Sequence, residues 1–506
     1  MPAHAPVAQL DRAPGFEPGG RRFESVRARH QFMHPSPESK VDEPRDAAGW
    51  HARALAFAAE QRMFEATQAF ARAAALAPAD VAIAAGYAQA CYSSGLPAAQ
   101  LFMRARQLAP ANPDITMHTA VALAAEGSTS AAESLLIATL EAHPDWLDGH
   151  RCLATMRWAA GRGSDFVQSY RDACRVQPRN ASLRMAWFSM LALIRDWPAA
   201  QQVLDEAAAI ASDERLLGPG RLYIACETGA TAEAERLLPL TDAVRDPGIE
   251  VCRIRHFLRT GQLQKAEIVA GRLCLTPAAR LAWPYRSLIW RLQNDPRAQW
   301  LDGNPPHVRA FDLDFSAQEL EELASLLRRL HTANAPYLEQ SVRGGTQTDR
   351  PLFFRHEPIL RAARQKFHDA VQQYIAGLPA FEPGHPLLGV ARQPIQFSGS
   401  WSVRLRAQGF HISHTHPKGW ISSAFYVALP EATQMGEPPA GWITFGAPPP
   451  ELGLALNACQ KIEPKPGRLV LFPSTMWHST APFTDGERLV IAFDVGIPRS
   501  SAANQR

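Results

Sequence analysis

A row of regularly spaced prolines constrains this chain more than any other feature. They stand at Pro78, Pro110, Pro144 and Pro178, spaced by 32, 34 and 34 residues, and again at Pro247 and Pro277; the intervening stop falls near Ser212. From about Trp50 the sequence between them is Ala-rich with a helical period. A fixed period of this length means that each unit is one small supersecondary element that buries its apolar face only by stacking on its neighbours. The units also agree internally. Twelve, eight and five residues before Pro78 stand Ala66, Phe70 and Ala73, and before Pro110 stand Ala98, Phe102 and Ala105. The same offsets give Phe166, Tyr170 and Ala173 before Pro178, and Ala200, Leu204 and Ala207 before Ser212. Small residues let two helices approach, the bulky middle residue fills the gap between units, and a proline cannot continue the hydrogen-bond ladder.

This pattern resembles the tetratricopeptide repeat family over about 50–280, in some seven units, and places an array at 46–290. The resemblance implies an α-helical solenoid with a concave surface for a protein or peptide partner. The alternative is a helical scaffold with no ligand of its own.

At 506 residues the chain exceeds one hydrophobic core, so a second folding unit is expected. A formal charge of +3 at this length, with no basic block interleaved with aromatics, gives no reason to expect nucleic acid. No run approaches the ~18 apolar residues of a membrane span, and no apolar segment follows the start as in a secretory signal. The seven cysteines are scattered and form no CxxC pair, which fits buried thiols in a reducing cytoplasm. Residues 1–45, rich in Pro, Gly and Arg, read as disordered; 7–29 resembles the conceptual translation of a bacterial tRNA gene, which would put the true start at Met33.

Residues 281–310, with Trp283, Pro284, Asn304, Pro305 and Pro306, read as a connector, and 291–310 is taken as the linker between domains. A helix then starts at Ser316, with Glu319 completing a capping box and Leu320, Leu323, Leu327 and Leu330 on its buried stripe. A second helix has Pro358 in its first turn and Ile359, Ala363, Phe367, Ala370, Tyr374 and Leu378 on its apolar face. Between them, the segment 340–348 (QSVRGGTQT) has two glycines among polar residues and makes a poor helix or strand. It reads either as a loop over a site, with Arg343 or Gln347 reaching substrate, or as a tight structural turn.

Residues 311–499 read as the second domain, with a β core at 391–499. Short alternating runs at 401–405, 420–429, 441–445, 467–472 and 488–495 are each bounded by Gly, Pro or Asp, the pattern of a β-sandwich or barrel. Three histidines crowd into this region: His411, His414 and His416. In extended chain His414 and His416 project from the same face, so two imidazoles can take adjacent positions on one metal ion. His478 follows the run GRLVLF and the turn Pro473–Ser474, and Arg488 stands ten positions further on.

The order of His414, Thr415 and His416, then His478, then Arg488 resembles the iron(II)- and 2-oxoglutarate-dependent oxygenases. Residues 340–353, 411–430, 467–483 and 486–494 are similar to a bacterial 2OG-Fe(II) oxygenase family whose members often carry tetratricopeptide repeats in front. The resemblance covers roughly 305–498. It implies a double-stranded β-helix (jelly-roll) with flanking helices, Fe(II) held by His414, His416 and His478, and 2-oxoglutarate as cosubstrate. Arg488 would pair with the far carboxylate of that cosubstrate, since a guanidinium binds a carboxylate through two parallel bonds. Tyr426 or Ser423 would either add a hydroxyl or simply pack. The reaction would convert 2-oxoglutarate to succinate while oxidising a C–H bond of a substrate, a protein by the architecture. One departure stands out. The general pattern has a carboxylate where His416 stands, leaving this site one charge more positive. Two other readings follow from it: an adaptor with a catalytically degenerate barrel, or a three-histidine zinc enzyme.

Overall fold

The computed structural model describes residues 43–210, 214–303, 307–338 and 340–498. The expectations for most of 1–45 including Met33, for Ser212, and for Asn304, Pro305 and Pro306 lie outside these residues. The chain forms two compact units. Among the described residues, one holds 43–153 together with Phe354–His356, and the other holds Ala154–Phe353 and 357–498.

The helices of the first unit follow one another as hairpins, beginning with Ala47–Ala59 and Met63–Leu76. The sequence period is written in stop and start signals. Two residues after Pro78, Asp80 accepts a hydrogen bond from the Ile83 amide at 3.0 Å and caps the helix Val81–Ser93. Two residues after Pro110, Asn112 accepts from the amides of Asp114 and Ile115 at 3.0 and 3.2 Å. In the second unit Asn180 does the same after Pro178, accepting from Leu183 at 3.1 Å. Ala66, Ala73, Ala98, Ala105 and Ala200 are fully buried, and Phe70, Phe102, Tyr170 and Leu204 fill the space beside them. Ala207 stays partly exposed.

Two prolines depart from the expected punctuation. Pro247 does not end a helix but opens one, Pro247–Arg259, where its missing N–H would have no partner in any case. Pro284 lies inside the helix Ala279–Leu292, and Arg297–Asp302 adds another helix, so most of the expected connector at 281–310 is helical. The cause is burial. Trp283, Trp290 and Trp300 meet with ring centroids 6.0 to 6.3 Å apart, and this aromatic contact outweighs the local preference of proline.

The strands are β1 (Arg309–Asp312), β2 (Val342–Gln347), β3 (Phe397–His414), β4 (Gly419–Ala428), β5 (Ile443–Phe445), β6 (Gln460–Ile462), β7 (Arg468–Pro473), β8 (His478–Thr480) and β9 (Arg488–Gly496). They form one antiparallel sheet in the order β1-β7-β4-β9-β3-β8-β5-β6, with β2 also on β3, curled into a nearly closed jelly-roll barrel. β4 and β9 are buried on both faces. Their outer side chains, such as Phe425 and Phe493, pack under the helices Ala317–Leu330 and Pro358–Ala376, against Leu323, Leu327, Phe367 and Tyr374. The capping box is present: Glu319 N donates to Ser316 Oγ at 3.1 Å, and Ser316 N to the Glu319 carboxylate at 2.7 Å. Tyr426, Phe445, Phe472 and Val490 fill the inside of the barrel.

The segment 340–348 is neither an open loop nor a turn. Residues 342–347 form β2 and pair with β3, with a register slip between Arg343 and Gly345. The glycines are there for closeness. A Cβ on Gly345 would lie 2.3 Å from the Arg404 carbonyl, and Gly344 has φ +67°. Among the described residues, no helix is long and apolar enough to cross a membrane.

Candidate metal centre

Strand register brings together histidines that the sequence separates. β3 and β8 pair antiparallel with His414 directly opposite His478. His416 lies two residues past the end of β3, held there by its amide donating to the Ser474 carbonyl at 2.8 Å. The three rings then face one point: centroid distances are 4.0 Å for His414–His478, 5.3 Å for His414–His416 and 5.1 Å for His416–His478. One nitrogen from each lies within 4.8 Å of the others, the only such cluster of potential metal ligands among the described residues.

Each ring is oriented through its Nδ1. His414 Nδ1 meets the Ile412 carbonyl at 2.6 Å and His478 Nδ1 the Met476 carbonyl at 3.0 Å. His416 Nδ1 meets both carboxylate oxygens of Asp494, at 2.7 and 2.8 Å. An acceptor beside every Nδ1 puts the proton there and leaves the lone pair on Nε2, the arrangement a metal needs. The donor set therefore fits a divalent first-row ion. His411 sits apart, its ring 5.8 Å from His414 and its Nδ1 3.2 Å from Thr480 Oγ1.

Asp494 was not singled out by sequence reasoning. It sits on β9 opposite Ser422 of β4, whose hydroxyl donates to it at 2.6 Å. Its signal was a lone carboxylate in the apolar run 489–495 (LVIAFDV), on a strand with both faces buried. It also answers the departure at His416. The carboxylate absent from the ligand position is present one hydrogen bond further out, so three imidazoles and Asp494 together carry the same formal charge as two imidazoles and a ligating carboxylate.

A cavity of about 100 Å³ surrounds the rings and reaches Arg488, Gln347 and Ser423. Arg488 is 1% exposed. Its guanidinium stands 4.9 Å from the centre of the Tyr426 ring, and its Nε has no hydrogen-bond acceptor. No carboxylate among the described residues forms an ion pair with it, and burial pulls its pKa below the usual value. A buried, unpaired cation is costly, and an incoming carboxylate would offset that cost. Tyr426 is fully buried beside Arg488. The Ser423 hydroxyl is committed to β9, donating to the Phe493 carbonyl at 2.9 Å and accepting from its amide at 2.8 Å. Gln347 is buried on the cavity wall, whereas Arg343 is exposed and lines a neighbouring chamber.

Residues 399–494 match the family model described as "Putative 2OG-Fe(II) oxygenase". No curated protein matches the chain in sequence. Among solved structures, a prolyl-4-hydroxylase from Pseudomonas putida is 17% identical, over 38% of this chain and 94% of its own, with TM-score 0.27. HygX from Streptomyces hygroscopicus, solved with nickel, 2-oxoglutarate and hygromycin B bound, is 13% identical over 40% and 87%, with TM-score 0.27. A tetratricopeptide repeat protein from Parabacteroides merdae is 14% identical over 45% and 91%, with TM-score 0.29. Residues 399–494 of the barrel are therefore similar to the 2OG-Fe(II) oxygenase family, and they follow a series of paired helices.

Proposed function

We propose that the barrel is an iron(II)- and 2-oxoglutarate-dependent dioxygenase that oxidises a C–H bond of its substrate. One observation carries the reading: three Nε2-presenting imidazoles share a cavity with a buried arginine that has no acidic partner among the described residues. A metal alone would account for the imidazoles; an anionic cosubstrate would in addition account for Arg488, whose near neighbour is the Tyr426 ring. His414, His416 and His478 would hold Fe(II), which together with 2-oxoglutarate supplies the oxidising chemistry. Arg488 would receive the far carboxylate of 2-oxoglutarate through two parallel charge-assisted bonds. Asp494 orients His416 and would neutralise part of the charge of an ion held there. Phe472 and Val490 wall the cavity and keep water from the reacting centre. The repeats would offer a surface for a protein or peptide partner. Among the described residues all seven cysteines are free, five of them buried, which supports a reducing, cytoplasmic setting.

The test is metal analysis of the purified chain with an assay for succinate formed from 2-oxoglutarate. Iron with succinate is the expected result. Zinc without succinate would point to the hydrolytic alternative, and no bound metal to an adaptor with a degenerate barrel.

A further inference from the structure

Beside the metal cavity lies a larger chamber of about 360 Å³. One wall comes from the helices Ala181–Leu193, Glu214–Thr228, Pro247–Arg259 and Ala279–Leu292, and the other from the barrel mouth around β2 and the end of β3. The two cavities share Gln340, Ser341, His414, Pro417 and Lys418, so the chamber opens directly onto the metal ligands. Both walls belong to the same compact unit. They are tied together by ion pairing of Arg195 with Glu451 at 2.8 Å, and by Trp477 Nε1 donating to the Pro284 carbonyl at 3.0 Å.

The charges in this chamber do not balance. Both of its glutamates are already paired: Glu451 with Arg195, and Glu227 with Arg255 at 2.8 Å. Arg280, Arg343 and Lys418 also line it, and among the described residues none of the three has a carboxylate within ion-pair distance. Arg280 donates through one nitrogen to the Pro386 carbonyl at 3.0 Å, while its Nε and its other terminal nitrogen are shielded from solvent and have no acceptor. Burial holds the Arg280 pKa down at about 10. At the passage between the cavities, both the amide nitrogen and oxygen of Gln340 are likewise shielded and unpartnered among the described residues. Leaving such polar atoms unsatisfied is costly, so the site is shaped for a partner that is not part of the chain. Around these groups Trp197, Tyr223 and Trp477 provide apolar surface.

We infer that this chamber is the substrate site, and that it takes a small organic anion. The anion would carry a carboxylate or phosphate held by Arg280, Arg343 and Lys418, and an apolar body lying on the aromatic wall. Gln340 hydrogen-bonds the part of the molecule that passes toward His414. The volume lies at the low end of the range for small-molecule clefts, which favours a compact ligand over a macromolecular segment. The helices between 181 and 292 are then a wall of the active site as well as a scaffold. This inference rests on the oxygenase reading for the word substrate, but the binding it asserts can be measured without turnover.

The experiment is equilibrium binding of phenyl phosphate and of 3-phenylpropionate to the full chain, with benzyl alcohol as the uncharged control, before and after metal removal with EDTA. Both anions, or one of them, should bind at least about tenfold more tightly than the alcohol, and binding should survive EDTA. The stronger of the two identifies the phosphate or the carboxylate as the native group. Lys418→Met, on an exposed side chain that folding does not need, should weaken anion binding about tenfold; Arg280→Met should do the same. Equal binding of all three probes, or anion binding indifferent to Lys418→Met, overturns the assignment even if succinate is formed. Tighter binding of an acidic tetrapeptide than of either anion overturns the small-molecule assignment. Anion binding by a chain that holds no metal and forms no succinate overturns the oxygenase reading and leaves a plain anion site.

Discussion

The carboxylate of Asp494 accepts from His416 Nδ1 through both of its oxygens, at 2.7 and 2.8 Å. This pair places on β9 the negative charge that the general ligand pattern would place at position 416. Asp494→Asn keeps the shape and one acceptor but removes the charge. It should lower metal affinity about 10- to 100-fold, as outer-shell changes do. Metal titration followed by loss of the free ion is the measurement, and an unaltered affinity would remove Asp494 from its orienting role.

His478→Ala removes the ligand contributed by β8. Metal-dependent formation of succinate should fall to background while circular dichroism stays that of the parent chain. Full activity in this variant would refute the ligand set.

Arg488 is predicted to separate cosubstrate binding from stability. Loss of charge-assisted bonds worth about 1.5–3 kcal/mol implies that Arg488→Ala raises the 2-oxoglutarate requirement about 10- to 150-fold with metal still bound. Arg488→Met, of similar length and without the buried charge, should unfold at the same or a higher temperature, by up to about 2 kcal/mol of stability. A lower melting temperature in Arg488→Met would show that the guanidinium is structural.

Gly345→Ala should destabilise the chain by about 1–3 kcal/mol, because the new methyl meets the Arg404 carbonyl and Leu405 across the β2–β3 ladder. Since β2 carries Gln347 into the metal cavity, activity should fall as well. Chemical denaturation gives the first quantity and succinate formation the second.

His331 supplies a pH dependence that does not involve the three candidate metal ligands. Its ring nitrogens meet Thr346 Oγ1 at 2.8 Å and Ser402 Oγ at 3.0 Å, and burial, assisted by Arg404, holds its pKa down at about 4. Glu487 opposes the shift and Arg406 adds to it. Between about 4 and the unfolded value near 6.5 the unfolded chain binds the extra proton, so stability falls as pH drops through that window. Allowing for partial exposure, the loss is about 1–3 kcal/mol. His331→Gln should flatten the melting temperature over this range, and an unchanged slope would reject the assignment.

What could be read in the sequence was whatever local spacing encodes. The prolines with Asp80, Asn112 and Asn180 behind them announce the repeats, and His414, His416, His478 and Arg488 announce the cavity before any strand is paired. Four features needed tertiary structure. β2 hid behind Gly344 and Gly345, because the close approach of β3 that demands them is invisible from one strand. Pro284 stood inside a helix, because three tryptophans from different positions stabilise it there. The pairing of His416 with Asp494, and the company of Arg280 with Gln340, join residues that only folding brings near.

The facing of His414 and His478 across β3 and β8 has a mechanical meaning. An ion held by both would act as a rivet through two strands that otherwise meet over only a few residues, since β8 spans just His478–Thr480. Loading the site would therefore stiffen that corner of the barrel, and stripping it would let the corner fray first. Occupancy could then be followed by backbone amide exchange along 478–480, in protein that is never asked to turn over.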